Sequence, residues 1–254
     1  MSEAIVTREA RRLLAAVQYF TRLPVPGWVG HSQSLLDDAA RYFPAVGVLV
    51  GSLGAIVLLG TGLLWASPVA VALSMIATVL ITGAFHEDGL ADTADGLGGS
   101  LERERALAIM KDSRIGVFGA AALLLALLLK FATLSAMQPA TAALALIAGH
   151  ATSRLGGVLI MATLPYVRDS VESRSKPIVQ QISAASITIG ALTVIAVLAP
   201  SGWRAVIGVL AAAVATVLWR RYLLRRLGGY TGDCLGAIQQ IGECAFYLGW
   251  SAAW

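Results

Sequence analysis

Continuous apolar runs recur along the chain at about 44–65, 68–86, 116–137, 139–164, 182–199, 202–219 and, with more polar interruptions, 234–254. Each is long enough to cross a hydrocarbon layer as a helix. None shows the short two-residue alternation of a membrane barrel, and Ala, Leu, Val and Gly dominate them, so the pattern predicts α-helices throughout. Before the first run, Ile5, Leu13, Leu14, Val17 and Phe20 are interleaved with Arg8, Arg11 and Arg12. That spacing predicts an amphipathic helix on the inner leaflet, ended by Pro24 and Pro26. The expected fold is therefore all-α: a polytopic integral membrane bundle of about six to seven transmembrane helices plus this N-terminal helix. No internal repeat is evident, and 1–254 reads as a single domain.

Composition agrees with the pattern. Of 254 residues, 57% are hydrophobic and only 13% charged, and the mean hydropathy is +0.74, too apolar for a soluble surface. The net charge of +4 does not point to nucleic acid, because the basic residues lie in short blocks beside the apolar runs. Sixteen of the nineteen Lys and Arg fall in 1–43, 87–115, 165–181 and 220–233, which places those segments and the N-terminus in the cytoplasm. The C-terminus is then outside, if the last run crosses. The first residues lack the apolar core and small-residue cleavage site of a signal peptide, so none is expected. Cys234 and Cys244 sit about 15 Å apart along one expected helix and cannot bridge each other there. Gly47, Gly51 and Gly54, with Gly156 and Gly157, offer small surfaces for close helix contact.

Chemistry concentrates in one place. Glu87, Asp88, Asp92 and Asp95 put four carboxylates within nine residues, directly after an apolar run. On a helix, Asp88, Asp92 and Asp95 follow the i, i+4, i+7 pattern and emerge on one face. Three like charges so close call for a cation, and all-oxygen ligation favours magnesium, calcium or manganese. Glu87 points aside from that arc. The plainer alternative is an acidic helix start, since carboxylates favour first turns.

Cations follow the acidic run. Lys111 and Arg114 suit phosphate contact, whereas Arg103 and Arg105 serve equally well for phosphate or for pairing with Glu102 and Glu104. His86, beside the acidic run, fits a ligand-orienting or phosphate role, or a structural hydrogen bond. A glycine-rich turn at 228–237 delivers Asp233 to the cytoplasmic end of the last run, with Gln240 and Glu243 deeper inside. His150 and Arg154 lie one turn apart within the fourth run and face the bundle interior, either for function or as a polar contact between helices.

Five segments carry a likeness. They are His86-Glu-Asp-Gly-Leu-Ala-Asp-Thr-Ala-Asp-Gly96, Lys111-Asp-Ser-Arg-Ile-Gly116, Phe20-Thr-Arg-Leu-Pro24, Tyr42-Phe-Pro-Ala-Val-Gly47 and Gly229-Tyr-Thr-Gly-Asp-Cys-Leu-Gly-Ala237. In this order and along nearly the whole chain, they resemble the cobalamin synthase family, adenosylcobinamide-GDP ribazoletransferases. The resemblance implies a magnesium-dependent enzyme of the cell inner membrane. It would join adenosylcobinamide-GDP to alpha-ribazole, or its 5'-phosphate, giving adenosylcobalamin, or its phosphate, and GMP. On that basis Asp88, Asp92 and Asp95 are expected to hold Mg2+, and 87–115 to form a cytoplasmic catalytic loop. Lys111, Arg114, Arg103, Arg105 and His86 are expected to contact substrate, and Asp112 or Asp233 to accept the hydroxyl proton. The lipid bilayer is a partner, nucleic acid is not, and a homo-oligomer is left open.

Two other readings compete. Asp92-Thr-Ala-Asp-Gly96 reproduces the opening of the CDP-alcohol phosphotransferase signature, but Gly98-Gly99 replaces what should follow and no later aspartate pair stands at the proper interval. A cation transporter would use His150, Arg154, Lys130 and Glu243 as its path.

Overall fold

The computed structural model describes residues 2–112, 114–167, 179 and 182–252. Ser113, and Arg168, Arg174 and Lys176 of the third basic segment, lie outside them. Eleven α-helices follow in order: α1 Ser2–Phe20, α2 Gln33–Ala39, α3 Phe43–Thr61, α4 Ser67–Thr82, α5 Phe85–Gly99, α6 Arg103–Met110, α7 Val117–Ser135, α8 Pro139–Thr163, α9 Ala184–Leu198, α10 Gly202–Leu227 and α11 Gly232–Ser251. Among the described residues the sole β contact is an isolated bridge between Tyr166 and Tyr230.

Among the described residues, four helical stretches are long and apolar enough to cross a membrane: Gln33–Thr61, Val117–Ser135, Pro139–Thr163 and Ala184–Leu227. The pair α4 and α5 makes a fifth if counted as one bent span. The protein is thus a helical membrane bundle, with fewer clear spans than the apolar runs predict. One reason is that runs 182–199 and 202–219 join into a single helical stretch, interrupted by a 3-10 turn at Ala199–Ser201 and by Gly202 at φ 65°. The other is α11, whose polar residues lower its apolarity although its helix is the most enclosed element of the bundle. It packs on α5, α7, α8 and α10, and Cys234, Ile238, Gln240, Glu243, Phe246 and Tyr247 are all buried. Outward positions of α7 and α10, such as Leu124, Leu128, Leu210 and Val214, stay exposed, as lipid-facing side chains should.

Small residues set the closest approaches. A methyl group on Gly47 would lie 2.2 Å from the His150 carbonyl oxygen, and one on Gly51 would lie 2.7 Å from the Ile147 Cα. Backbone therefore meets backbone where α3 crosses α8, as the glycine spacing predicts. Gly156 lies against Thr216 of α10, whereas Gly157 faces open space.

A sharp corner lies between α4 and α5, whose axes differ by 87°. Gly83 and Ala84 both take left-handed backbone conformations there, at φ 67° and 59°. For alanine this costs about 1–2 kcal/mol. The corner is held by the Arg22 amide, which donates to the Ile81 carbonyl at 2.8 Å, and by the Arg22 side chain lying where a Gly83 methyl would go. Within the 87–115 segment, the acidic run is therefore a helix set at a steep angle to α4, the conformation in which Asp88, Asp92 and Asp95 share a face. Straps fix its far end: the Arg226 guanidinium donates to the Leu97 and Ser100 carbonyls, and Arg103 Nε donates to the Leu227 carbonyl at 2.7 Å. Described basic residues just after α1, on α6 and at the end of α10 thus gather at one end of the bundle.

Candidate active site at the crossing of two helices

Two glycines bring α5 and α11 into contact. A methyl on Gly89 would lie 2.8 Å from the Asp233 carbonyl oxygen, and one on Gly236 would lie 3.1 Å from the Gly89 Cα. Any side chain at either position would separate the helices. The start of α11 is fixed by Thr231, whose hydroxyl accepts from the Cys234 amide. Asp233, in the first turn, is thereby set against the carboxylate face of α5.

That face carries what the spacing predicts. Asp88 is exposed, Asp92 and Asp233 are half-buried, and Asp95 is buried. Partial burial, then the charges of Asp88, Asp233 and Asp95, push the Asp92 carboxyl up to about 6. Four carboxylates from two helices therefore share one field at the basic end of the bundle. Among the described residues no three or more His, Cys, Asp or Glu side chains close into a complete metal cage.

Asp95 has a task the sequence reading did not foresee. Its two carboxylate oxygens accept from the Gly116 amide at 2.7 Å and the Gly119 amide at 2.8 Å, so it caps the N-terminus of α7. Both glycines are needed, since a methyl on either would strike this carboxylate within 2.4 Å. Expected as a third metal ligand, Asp95 instead ties the acidic helix to the segment that bears Lys111 and Arg114.

The cations divide. Lys111, Arg105 and Arg114 are exposed. Arg103 is committed to the Leu227 carbonyl and lies 3.6 Å from Glu104, which favours the pairing alternative. Asp112 is clasped by Arg114, whose Nε reaches both carboxylate oxygens at 3.0 and 3.1 Å. Those bonds hold the Asp112 carboxyl down to about 2, which makes it a poor proton acceptor. It is also absent from the charges that Asp92 feels, whereas Asp233 is among them.

Deeper in the bundle lies a second group of charges. Glu243 accepts from Lys130 Nζ at 2.5 Å and from His150 Nδ1 at 2.6 Å, and Arg154 stands 3.9 Å away. Since Nδ1–H is given to Glu243, Arg154 donates instead to the His150 carbonyl at 3.0 Å. Gln240 links this network to Glu87 of α5 at 3.0 Å, while Lys130 donates to Gln240 at 2.5 Å. Glu87 thus faces inward, away from the other three carboxylates of its helix. The four residues of the transporter reading form one interlocked cluster with little solvent access. His86 is buried beside it, its ring stacked on Phe20 at 5.6 Å. Gln240 and Glu243, which the sequence places inside the last run, both join this network, and Gln239 donates to Glu243 as well.

A helical membrane bundle with a half-open carboxylate cluster at one end has the form of a membrane-embedded enzyme. Within that class the chain belongs to the cobalamin-5-phosphate synthase family, which matches residues 12–251. It is 46% identical to the adenosylcobinamide-GDP ribazoletransferase of Leptothrix cholodnii, over 98% of each chain. The proteins of the same name from Vibrio cholerae and Shewanella amazonensis are 42% and 46% identical, over 96% and 95% of this chain and 95% of their own. No solved structure matches the chain.

Proposed function

We propose that this protein is an adenosylcobinamide-GDP ribazoletransferase of the bacterial inner membrane, with its carboxylate site facing the cytoplasm. The identity it shares with proteins of that name over nearly its full length supports the activity. The gathering of basic segments at the carboxylate end supports the orientation. The observation that carries the choice of site is the glycine crossing, which sets Asp233 against Asp88 and Asp92.

The reaction forms a bond between a ribose hydroxyl oxygen of alpha-ribazole, or its 5'-phosphate, and the phosphorus that bears the cobinamide arm. The bond from that phosphorus to the bridging oxygen breaks, and GMP leaves. Magnesium commonly takes one or two carboxylates and completes its shell with water and substrate phosphates, so an open set fits better than a closed cage. Asp88 and Asp92 supply such a set, and their crowding with Asp233 is what a cation relieves. Asp88 and Asp92 would hold the ion, which would supply neutralising charge for phosphate oxygens. Lys111 and Arg105 hold phosphate oxygens from the solvent side. Asp233 takes the hydroxyl proton, since Arg114 disqualifies Asp112. Asp95 positions the Lys111–Gly116 segment through the cap on α7.

Reconstituted protein given adenosylcobinamide-GDP and alpha-ribazole should release cobalamin and GMP with magnesium and neither without it. No product with magnesium present, or ion flux without GMP release, would overturn the assignment.

A further inference from the structure

Two of the segments that carry the family likeness, Phe20–Pro24 and Tyr42–Gly47, supply no side chain to the carboxylate cluster itself, although Arg22 holds the corner before it. They meet elsewhere. Phe20, Phe43 and Phe85, from three different helices, wall a cavity of about 30 Å³ whose remaining lining includes His86, Arg154, Gly157, Met161 and Gln239. Phe20 packs edge-on against Phe43 and Phe85, with centroids 4.6 and 6.0 Å apart. Gly236, one turn from Asp233, also lines it, so the cavity adjoins the glycine crossing.

Its polar groups are incompletely satisfied. Among the described residues no partner reaches Nε or Nη2 of Arg154, or Nε2 of His86, although each side chain is only 3% exposed. Unpaired donors this deep are costly and call for an acceptor. The acceptor is not an anion. The buried cations Lys130 and Arg154 are already matched by Glu87 and Glu243, so a phosphate would arrive without compensating charge. Nor is it a base rich in polar edges, because aromatic and aliphatic surface makes up most of the wall. A flat, largely apolar ring with one free imine nitrogen satisfies both conditions.

We propose that this cavity is the subsite for the benzimidazole ring of the acceptor. The ring nitrogen accepts from Arg154, the ring lies among Phe20, Phe43 and Phe85, and its ribose emerges past Gly236 toward Asp233. The guanine of the donor stays outside. The assignment rests on the proposed acceptor. The resting cavity has room for one or two waters. Ring entry therefore displaces Met161, a flexible side chain, and Phe85, which is 40% exposed at the mouth.

The test uses Gly157, where an added Cβ meets nothing within 4 Å and therefore projects into free space. Gly157→Leu fills the cavity from a helix interior that tolerates leucine. It should raise the KM for alpha-ribazole about tenfold or more while the KM for adenosylcobinamide-GDP stays within about twofold. An unchanged acceptor KM, or an equal rise for the donor, overturns the proposal. If that variant fails to insert, Gly157→Ala is read in the same way, with an expected rise of about threefold. If the wild-type protein makes no cobalamin at all, the proposed reaction fails and the cavity is judged separately, by calorimetric titration with 5,6-dimethylbenzimidazole. Binding that Gly157→Leu abolishes supports the subsite, and no binding to wild type overturns it. Equal binding of a dimethylindene lacking ring nitrogens overturns the role given to Arg154.

Discussion

Asp233 and Glu243 lie on the same helix, ten residues apart, yet the two groups of charges they belong to are built on opposite terms. Around Glu243 the charges are buried and matched in sign, with Lys130 and His150 within 2.6 Å. Around Asp233 they are half-open and share one sign, and Asp92 answers by holding its proton more tightly. A matched, enclosed group sets how helices pack. A crowded, unmatched group at an open end retains attraction for a cation, which is the reason for proposing the chemistry there.

The sharpest way to break this contrast is Asp92→Asn. It should lower cobalamin formation about a thousandfold, about 4 kcal/mol of barrier, with insertion and yield unchanged. Wild-type turnover would move the chemistry away from α5. Next comes Glu243→Gln, which strands Lys130 in the bundle and should cost about 3–5 kcal/mol, read as lost folded protein in detergent. Adding Lys130→Met should restore most of it, because glutamine still accepts from His150 and the orphaned cation is gone. Failure of that rescue would mean that the charge match is not what matters.

The smallest effect is in pH. Well below its ordinary value of 3.8, Asp92 carries its proton in both folded and unfolded chains and contributes nothing. As pH rises from 3.8 to about 6, the unfolded chain ionises while the folded chain still holds the proton among Asp88, Asp233 and Asp95, so stability falls across that window and stays lower above it. Asp92→Asn should therefore raise the melting midpoint by about 2–4 °C at pH 7.5 and leave it nearly unchanged at about pH 3, the size being limited by solvent around a half-open group. A rise of equal size at both pH values would show that charge crowding is not its cause.

Spacing along one helix made the common face of Asp88, Asp92 and Asp95 legible, and basic blocks beside apolar runs made the bundle's two ends legible. What was hidden depends on contacts distant in sequence. Asp95 was legible as a carboxylate but not as the cap of α7, because its partners Gly116 and Gly119 belong to another helix. The Phe20, Phe43 and Phe85 wall draws one residue from each of three helices, and no local pattern marks such a meeting. Asp112 and Arg114 read as two independent site candidates, whereas their two-residue separation lets them satisfy each other. The last apolar run looked the least secure because of Gln239, Gln240 and Glu243, the same residues that place it at the centre.

The corner at Gly83–Ala84 has a bearing on biogenesis. A ribosome-bound translocon reads apolar length, and α4, at 16 residues, ends short of a full crossing before the chain turns. The acidic helix leaves that bend at 87°, with Arg22 latched over it. Loosening that latch would tilt Asp88, Asp92 and Asp95 together, as one rigid rod, away from their counterpart on the last helix.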